Sequence, residues 1–267
     1  MTGKNILRSK TYPIPQSPNP PIPQSPNHSQ QMNLFFTENI DGQTAILPDE
    51  EARHCTQSLR KKIGDTIHFV DGKGGFYTGE ITEATRKRCA LRIIENQQAY
   101  QKPSIHLHIA IAPTKNISRL EWFLEKATEI GISEVTPILC QRSERKHIRV
   151  DRLQKIMLTA MKQSLKAYLP KLNDLTNFKD LIHTQNSAKS RTFIAHCDEG
   201  EKLHLKNACN AGKDTLILIG PEGDFSPEEV ALALQQDYQA ISLGNSRLRT
   251  ETAGLAACHI INLINNG

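Results

Sequence analysis

The chain has 267 residues, 38% hydrophobic and 23% charged, with a formal net charge of +5. That length holds two domains of ordinary size. No apolar run approaches the ~20 residues of a membrane span, and the N-terminus lacks the apolar core of a secretory leader, so a cytoplasmic protein with no membrane partner is expected. The six cysteines, at 55, 89, 140, 197, 209 and 258, show no paired spacing and read as reduced, mostly buried thiols.

Residues 13–20 are nearly copied at 21–28, with proline at almost every second position. Such a segment favours extended backbone and builds no core. Residues 1–31 therefore read as a disordered tail, an SH3-type ligand being the sharper alternative; Met32, where fold-like sequence begins, is an alternative start.

Residues 32–101 predict a small β-rich domain. Strands are expected over 34–37, 44–47, 66–70, 76–81 and 89–94, with a helix over 49–62 closed by Gly64. Five short strands and one helix suggest a small barrel. Arg60, Lys61 and Lys62 fall at the helix end, where cations are favoured for structural reasons or would face phosphate. Further basic residues cluster at 86–88 and 142–149, Arg142 and Arg145 among them; these are solvated faces or, taken together, an RNA-contacting surface.

After a linker at 101–104 the periodicity changes. Strands are expected over 105–112, 135–139, 192–196, 216–219 and 240–243, and helices over 117–130, 150–165 and 251–265. This alternation implies a mostly parallel sheet covered by helices, an α/β domain over 104–267. His106 and His108 share a strand face, yet no metal-ligand pattern surrounds them, and no metal is expected.

Two turns carry the chemistry. The first, Gly220-Pro-Glu-Gly223, follows a buried-type strand and precedes Ser226-Pro-Glu-Glu229, a helix start with Ser at N-cap and Glu at N3. Its glycines permit close approach of a ligand to the backbone. Neither GxGxxG nor GxxxxGK[ST] is present, which argues against dinucleotide and P-loop sites. The second turn runs from Leu243-Gly244 through Arg247, Leu248 and Arg249 to Glu251. A glutamate suits a helix N-terminus, but Arg247 and Arg249 do not, so two cations there point to an anion or a developing negative charge.

"LIGPEG" with "SxxE" behind it, followed by "LGxxxLRTETA", resembles the SPOUT class of methyltransferases, and more narrowly the RsmE family, which methylates N3 of a uridine in 16S ribosomal RNA. Residues 125–131 and 163–170 are similar to two further family segments. In three places the chain departs from the family pattern: Lys162 stands where Glu is common, Lys166 where Arg is common, and Asp224 where a second Gly is common. The resemblance, which covers the chain from Leu34 onward, implies a C-terminal trefoil-knotted SPOUT domain, an N-terminal PUA-like β-barrel that binds RNA, and a homodimer. It implies S-adenosyl-L-methionine as methyl donor, held by Leu218, Gly220, Pro221, Glu222, Gly223, Leu243, Gly244 and Leu248. Arg249, then Arg247, would stabilise charge on the uracil, with Glu251 orienting Arg249 or the loop. The partner would be 16S ribosomal RNA or the small ribosomal subunit. The alternatives are a ribose 2′-O-methyltransferase of the same class and a non-catalytic RNA-binding assembly protein.

Overall fold

The structure is a computed structural model that describes residues 32–184, 190–197 and 200–266. The proline-rich tail lies outside the described residues.

The first half is a curled six-stranded sheet. In chain order it runs β1 (Leu34–Phe36), β2 (Ile40–Asp41), β3 (Thr44–Leu47), the short helix α1 (Asp49–Arg53), β4 (Thr66–Val70), β5 (Phe76–Ala84) and β6 (Cys89–Gln97). The spatial order is β1-β4-β5-β6-β3-β2, antiparallel except for β1 on β4. Alternating residues fill its interior, with Phe35, Phe69, Ile81 and Leu91 essentially inaccessible. The strand β2 is additional to those expected. The helix expected over 49–62 is shorter: after Arg53 it widens into a π-helical turn at His54–Ser58. Arg60 then adopts a left-handed φ of 55°, and Lys61 N–H closes on the Cys55 carbonyl. Burying Cys55 in the sheet interior while redirecting the chain into β4 overrides the local helical preference.

The second half is an α/β sheet. β7 (Leu107–Ile111) leads through α2 (Ile117–Ile130) to β8 (Glu134–Leu139), then α3 (Val150–Gln163), short β9 (Lys171–Leu172) and β10 (Thr176–Asn177), and α4 (Phe178–Thr184). β11 (Arg191–Ala195), β12 (Leu203–His204), α5 (Leu205–Ala208), β13 (Thr215–Ile219), α6 (Pro227–Gln235), β14 (Gln239–Ser242) and α7 (Thr250–Asn266) follow. The strands lie in the order β10-β8-β7-β13-β11-β14-β12, with β9 also on β8, and all these pairs are parallel. β7 and β13 are buried at every position, as expected for a sheet with helices on both faces. α2, α3 and α7 cover one face around Phe123, Leu124 and Ile261. α4 and α6 cover the other around Phe178, Phe225 and Tyr238.

The halves meet along a seam. The β4–β5 loop lies against residues 167–169: Gly74 N–H donates to the Ala167 carbonyl (3.0 Å) and Leu169 N–H to the Gly72 carbonyl (2.9 Å). Leu34, Val70, Met161 and Ala167 form an apolar cluster between them. A Cβ at Gly74 would collide with the Tyr168 hydroxyl, so glycine is required by space as well as by its φ of +104°.

Candidate functional site

Connections leave β7 and β13 in opposite directions, toward β8 and toward β14, so the edge between these neighbouring strands is a topological switch point. Open α/β sheets bind ligands in the crevice that forms there, beyond the carboxyl ends of the strands. The segments after β7, β8, β11, β13 and β14 all reach this edge.

Hydrogen bonds tie the segments together. Lys115 N–H, beyond β7, donates to Glu222 Oε1 across the switch point (2.9 Å). Arg142 Nη1, beyond β8, donates to the Gly223 and Phe225 carbonyls (3.0 and 3.2 Å). Arg145 donates to the carbonyls of Thr114 (3.0 Å) and Lys115 (2.6 Å). Two arginines expected at the RNA surface thus have their guanidinium groups bonded to the loops of the crevice. Glu229 completes the capping box of α6 with Ser226, and its Oε1 also accepts from Gln141 N–H (2.8 Å), anchoring the segment after β8.

Asp224 has a physical reason to stand where glycine is common. Its φ of 62° is one that glycine adopts freely. The aspartate offsets that strain with two bonds: Oδ1 accepts from Phe225 N–H (2.8 Å), and Oδ2 accepts from Cys197 N–H just beyond β11 (2.7 Å).

The second turn is open. Gly244 has a φ of +124°, and a Cβ there would meet nothing within 4 Å. Among the described residues, the backbone N–H groups of 245–248 make no hydrogen bond, nor do those of Glu222 and Gly223. Thr250 Oγ1 donates to the Gly220 carbonyl (3.0 Å), joining the two turns. Arg247 and Arg249 are exposed, and neither forms an ion pair among the described residues. Glu251 is buried and its nearest cation is Arg119 of α2, Nε to Oε1 at 3.9 Å, rather than Arg249. Its Oε2 is buried without a hydrogen-bond partner. Of the expected cofactor contacts, Pro221 is buried, Leu243 and Leu248 are half-buried, and Glu222, Gly223 and Gly244 are exposed; Leu218 in β13 and Gly220 just beyond it are buried. Arg119 and Lys115 escaped the sequence reading of the site. Both sit far away in sequence, and only the β7–β13 pairing brings them here. Free backbone donors on both turns at the carboxyl edge of the sheet suit a ligand rich in hydrogen-bond acceptors.

On the curled sheet, the basic clusters around 60–62 and 86–88 converge. Lys61, Lys62, Thr85 and Arg86 line one open groove of about 740 Å³, with Thr56 and Gln57. None of its three cations forms an ion pair among the described residues. Arg60 is exposed beside it, outside the lining. At the opposite edge of the parallel sheet, Glu134 accepts from His106 Nε2 (2.9 Å), Lys171 Nζ (3.0 Å) and Asn173 Nδ2 (2.6 Å). No group of three or more His, Cys, Asp or Glu side chains could hold a metal ion among the described residues. No helix there is long and apolar enough to cross a membrane. Five of the six cysteines are buried and all are free thiols.

A parallel sheet opened at its switch point, joined to a curled antiparallel sheet with a basic groove, is the ground plan of an RNA methyltransferase. Comparison with known proteins assigns that class: residues 101–262 match the RNA methyltransferase domain and residues 47–94 the RNA methyltransferase PUA domain. A ribosomal RNA small subunit methyltransferase E from Mesomycoplasma hyopneumoniae is 32% identical over 229 residues, 84% of this chain and 96% of the relative. The crystal structure of a probable rRNA-methyltransferase from Porphyromonas gingivalis is 42% identical with a TM-score of 0.82, covering 88% of this chain and 98% of that one. The enzyme from Neisseria gonorrhoeae, solved bound to S-adenosyl methionine, shares the fold at 24% identity and a TM-score of 0.79, again over 88% and 98%. The chain belongs to the ribosomal RNA small subunit methyltransferase E family, RsmE.

Proposed function

We propose that the protein methylates N3 of a uridine in 16S ribosomal RNA, with S-adenosyl-L-methionine as donor. The observation that carries this is the pairing of a donor-lined crevice at the switch point with two uncompensated arginines on its rim. The residues present fit the donor. The free N–H groups of 245–248, Glu222 and Gly223 match the acceptors of an adenosyl group. When bound, the cofactor supplies an electrophilic methyl on a cationic sulfur.

This chain's residues then shape the acceptor. N3 of uracil carries a proton and lies on the pairing edge, so the base is unpaired when it reacts. The cofactor would supply the methyl group to N3, and the N3 proton would pass to solvent. Negative charge spreads over the uracil oxygens as that proton leaves. Arg249, with Arg247 beside it, stabilises this charge. Glu251, held near Arg119, orders the start of α7, immediately before which Arg249 sits.

The reading includes a trefoil knot built from the turns at 220–226 and 243–249 with α7, a domain division at 101–104, a homodimer and a cytoplasmic setting. The groove at Lys61, Lys62 and Arg86 contacts RNA phosphates, which makes binding salt-dependent. Arg249→Ala is expected to lower turnover by about a hundredfold or more, while calorimetry shows cofactor affinity retained. Digestion of the methylated RNA to nucleosides identifies the acceptor: 3-methyluridine supports the assignment, and a 2′-O-methylated nucleoside overturns it.

A further inference from the structure

The seam between the two halves holds an ion pair unlike the others in the chain. Lys162, near the end of α3, bonds through Nζ to Glu51 Oε1 of α1. Side-chain exposure is only 21% and 12%, whereas every other ion pair among the described residues has at least one partner more than a third exposed. The second oxygen, Glu51 Oε2, is buried without a hydrogen-bond partner, so the carboxylate depends on Lys162 for its compensation. The pair sits where α3 meets the curled sheet, beside the cluster of Leu34, Val70, Met161 and Ala167. Apolar contact alone lets surfaces slide; a desolvated, directional bond between two long side chains has one arrangement.

Each end of this bridge leads to a functional surface. From Glu51 the chain runs through the π-helical turn to Thr56, Gln57, Lys61 and Lys62 of the basic groove. From Lys162 it runs into residues 167–169, which hold the β4–β5 loop, while α3 packs on α2, whose Arg119 faces Glu251.

We propose that Lys162 and Glu51 are positioning residues for RNA: they fix the basic groove of the curled sheet relative to the methyl-transfer crevice, so that one folded RNA engages both at once. The inference rests on the function proposed above and deepens it. Two contacts on one rigid body act as a chelate, and RNA that bridges them gains affinity only while their separation is held. Loosening the seam removes that gain and leaves each surface intact. The charge at residue 162, opposite to the glutamate common in the family, is thereby accounted for by its partner.

The test uses the full chain, with small ribosomal subunits from cells lacking this protein as substrate. Wild type must first methylate those subunits; if it does not, the function proposed above falls. Lys162→Met and Glu51→Gln, each shown by its melting curve to be folded, are expected to raise KM for the subunit about tenfold. Turnover at saturation and calorimetric affinity for S-adenosylmethionine stay unchanged. Lys162→Arg, and the reversed pair Glu51→Lys with Lys162→Glu, are expected to restore KM to within about twofold. Wild-type KM in the single variants overturns the proposal. So does a matching loss of cofactor affinity, or a reversed pair no better than the singles.

Discussion

Asp224 shows how one side chain can make a strained backbone useful. With a left-handed φ, it binds its neighbour's N–H through one oxygen and Cys197 N–H through the other. Asp224→Ala keeps the strain and loses both bonds, and should lower stability by about 1–3 kcal/mol in urea unfolding. Asp224→Gly relieves the strain and should lose less. In both variants KM for the cofactor should rise, because the segment after β11 is no longer tied to the first turn; an unchanged KM would mean that the tie is irrelevant to the crevice. Arg249 and Arg247 were singled out in the sequence because a cation at a helix N-terminus contradicts local electrostatics, and the structure leaves both exposed. Arg142 and Arg145 were legible only as positive charge. That their guanidinium groups serve backbone carbonyls depends on loops about 80 and 30 residues away, which no local pattern encodes.

Among elements, α6 was the most readable. Ser226, Pro227 and Glu229 announce its start, and the capping box forms as their spacing requires. What spacing does not show is that Glu229 has a third bond, to Gln141 N–H. The two residues should therefore separate experimentally. Ser226→Ala removes one cap and should cost about 1 kcal/mol. Glu229→Ala strands two N–H groups and should cost about 2–4 kcal/mol by thermal or urea unfolding. Equal costs would show that the bond to Gln141 contributes nothing. The strands β13, a continuous apolar run, and β7, an apolar run broken by His108, were read correctly, but their adjacency was not, because a parallel sheet pairs strands remote in sequence. The short elements β9, β10, β12 and α5 carry two to four residues each, too few for any period to emerge. The helix expected over 49–62 failed for the opposite reason: its pattern was adequate, and burial of Cys55 prevailed.

For the molecule as a whole, pH acts through the edge of the sheet opposite the crevice. Burial of His108 pushes its pKa from 6.5 down to about 4. Below pH 6.5 the unfolded chain takes up this proton and the folded chain does not. Stability is thus full above that pH and falls as pH drops through the window to about 4, by about 3 kcal/mol. His106 acts in the opposite sense: its hydrogen bond to Glu134 raises its pKa, so folding favours its protonated form. Being half exposed, it is the weaker contributor. Glu134 is held well below the usual carboxylate range, first by His106, and stays charged throughout the window. The urea midpoint should fall between pH 7 and pH 4.5, and His108→Asn should flatten that fall; an equally steep fall in the variant would assign the effect elsewhere.

The neighbouring positions of β7 and β13 also set a timetable. The curled sheet pairs strands that leave the ribosome close together, and little of it waits for distant sequence. The crevice, by contrast, joins Lys115 to Glu222 and Gly220 to Thr250. During synthesis at about 5–20 residues per second, the RNA-gripping half is therefore complete several seconds before the catalytic edge can close. For that interval β7, apolar at nearly every position, has no β13 to pair with and is the segment most exposed to misassociation. Slowing translation across residues 140–215 should lengthen this exposure and reduce the yield of soluble enzyme, without changing the activity of the molecules that finish.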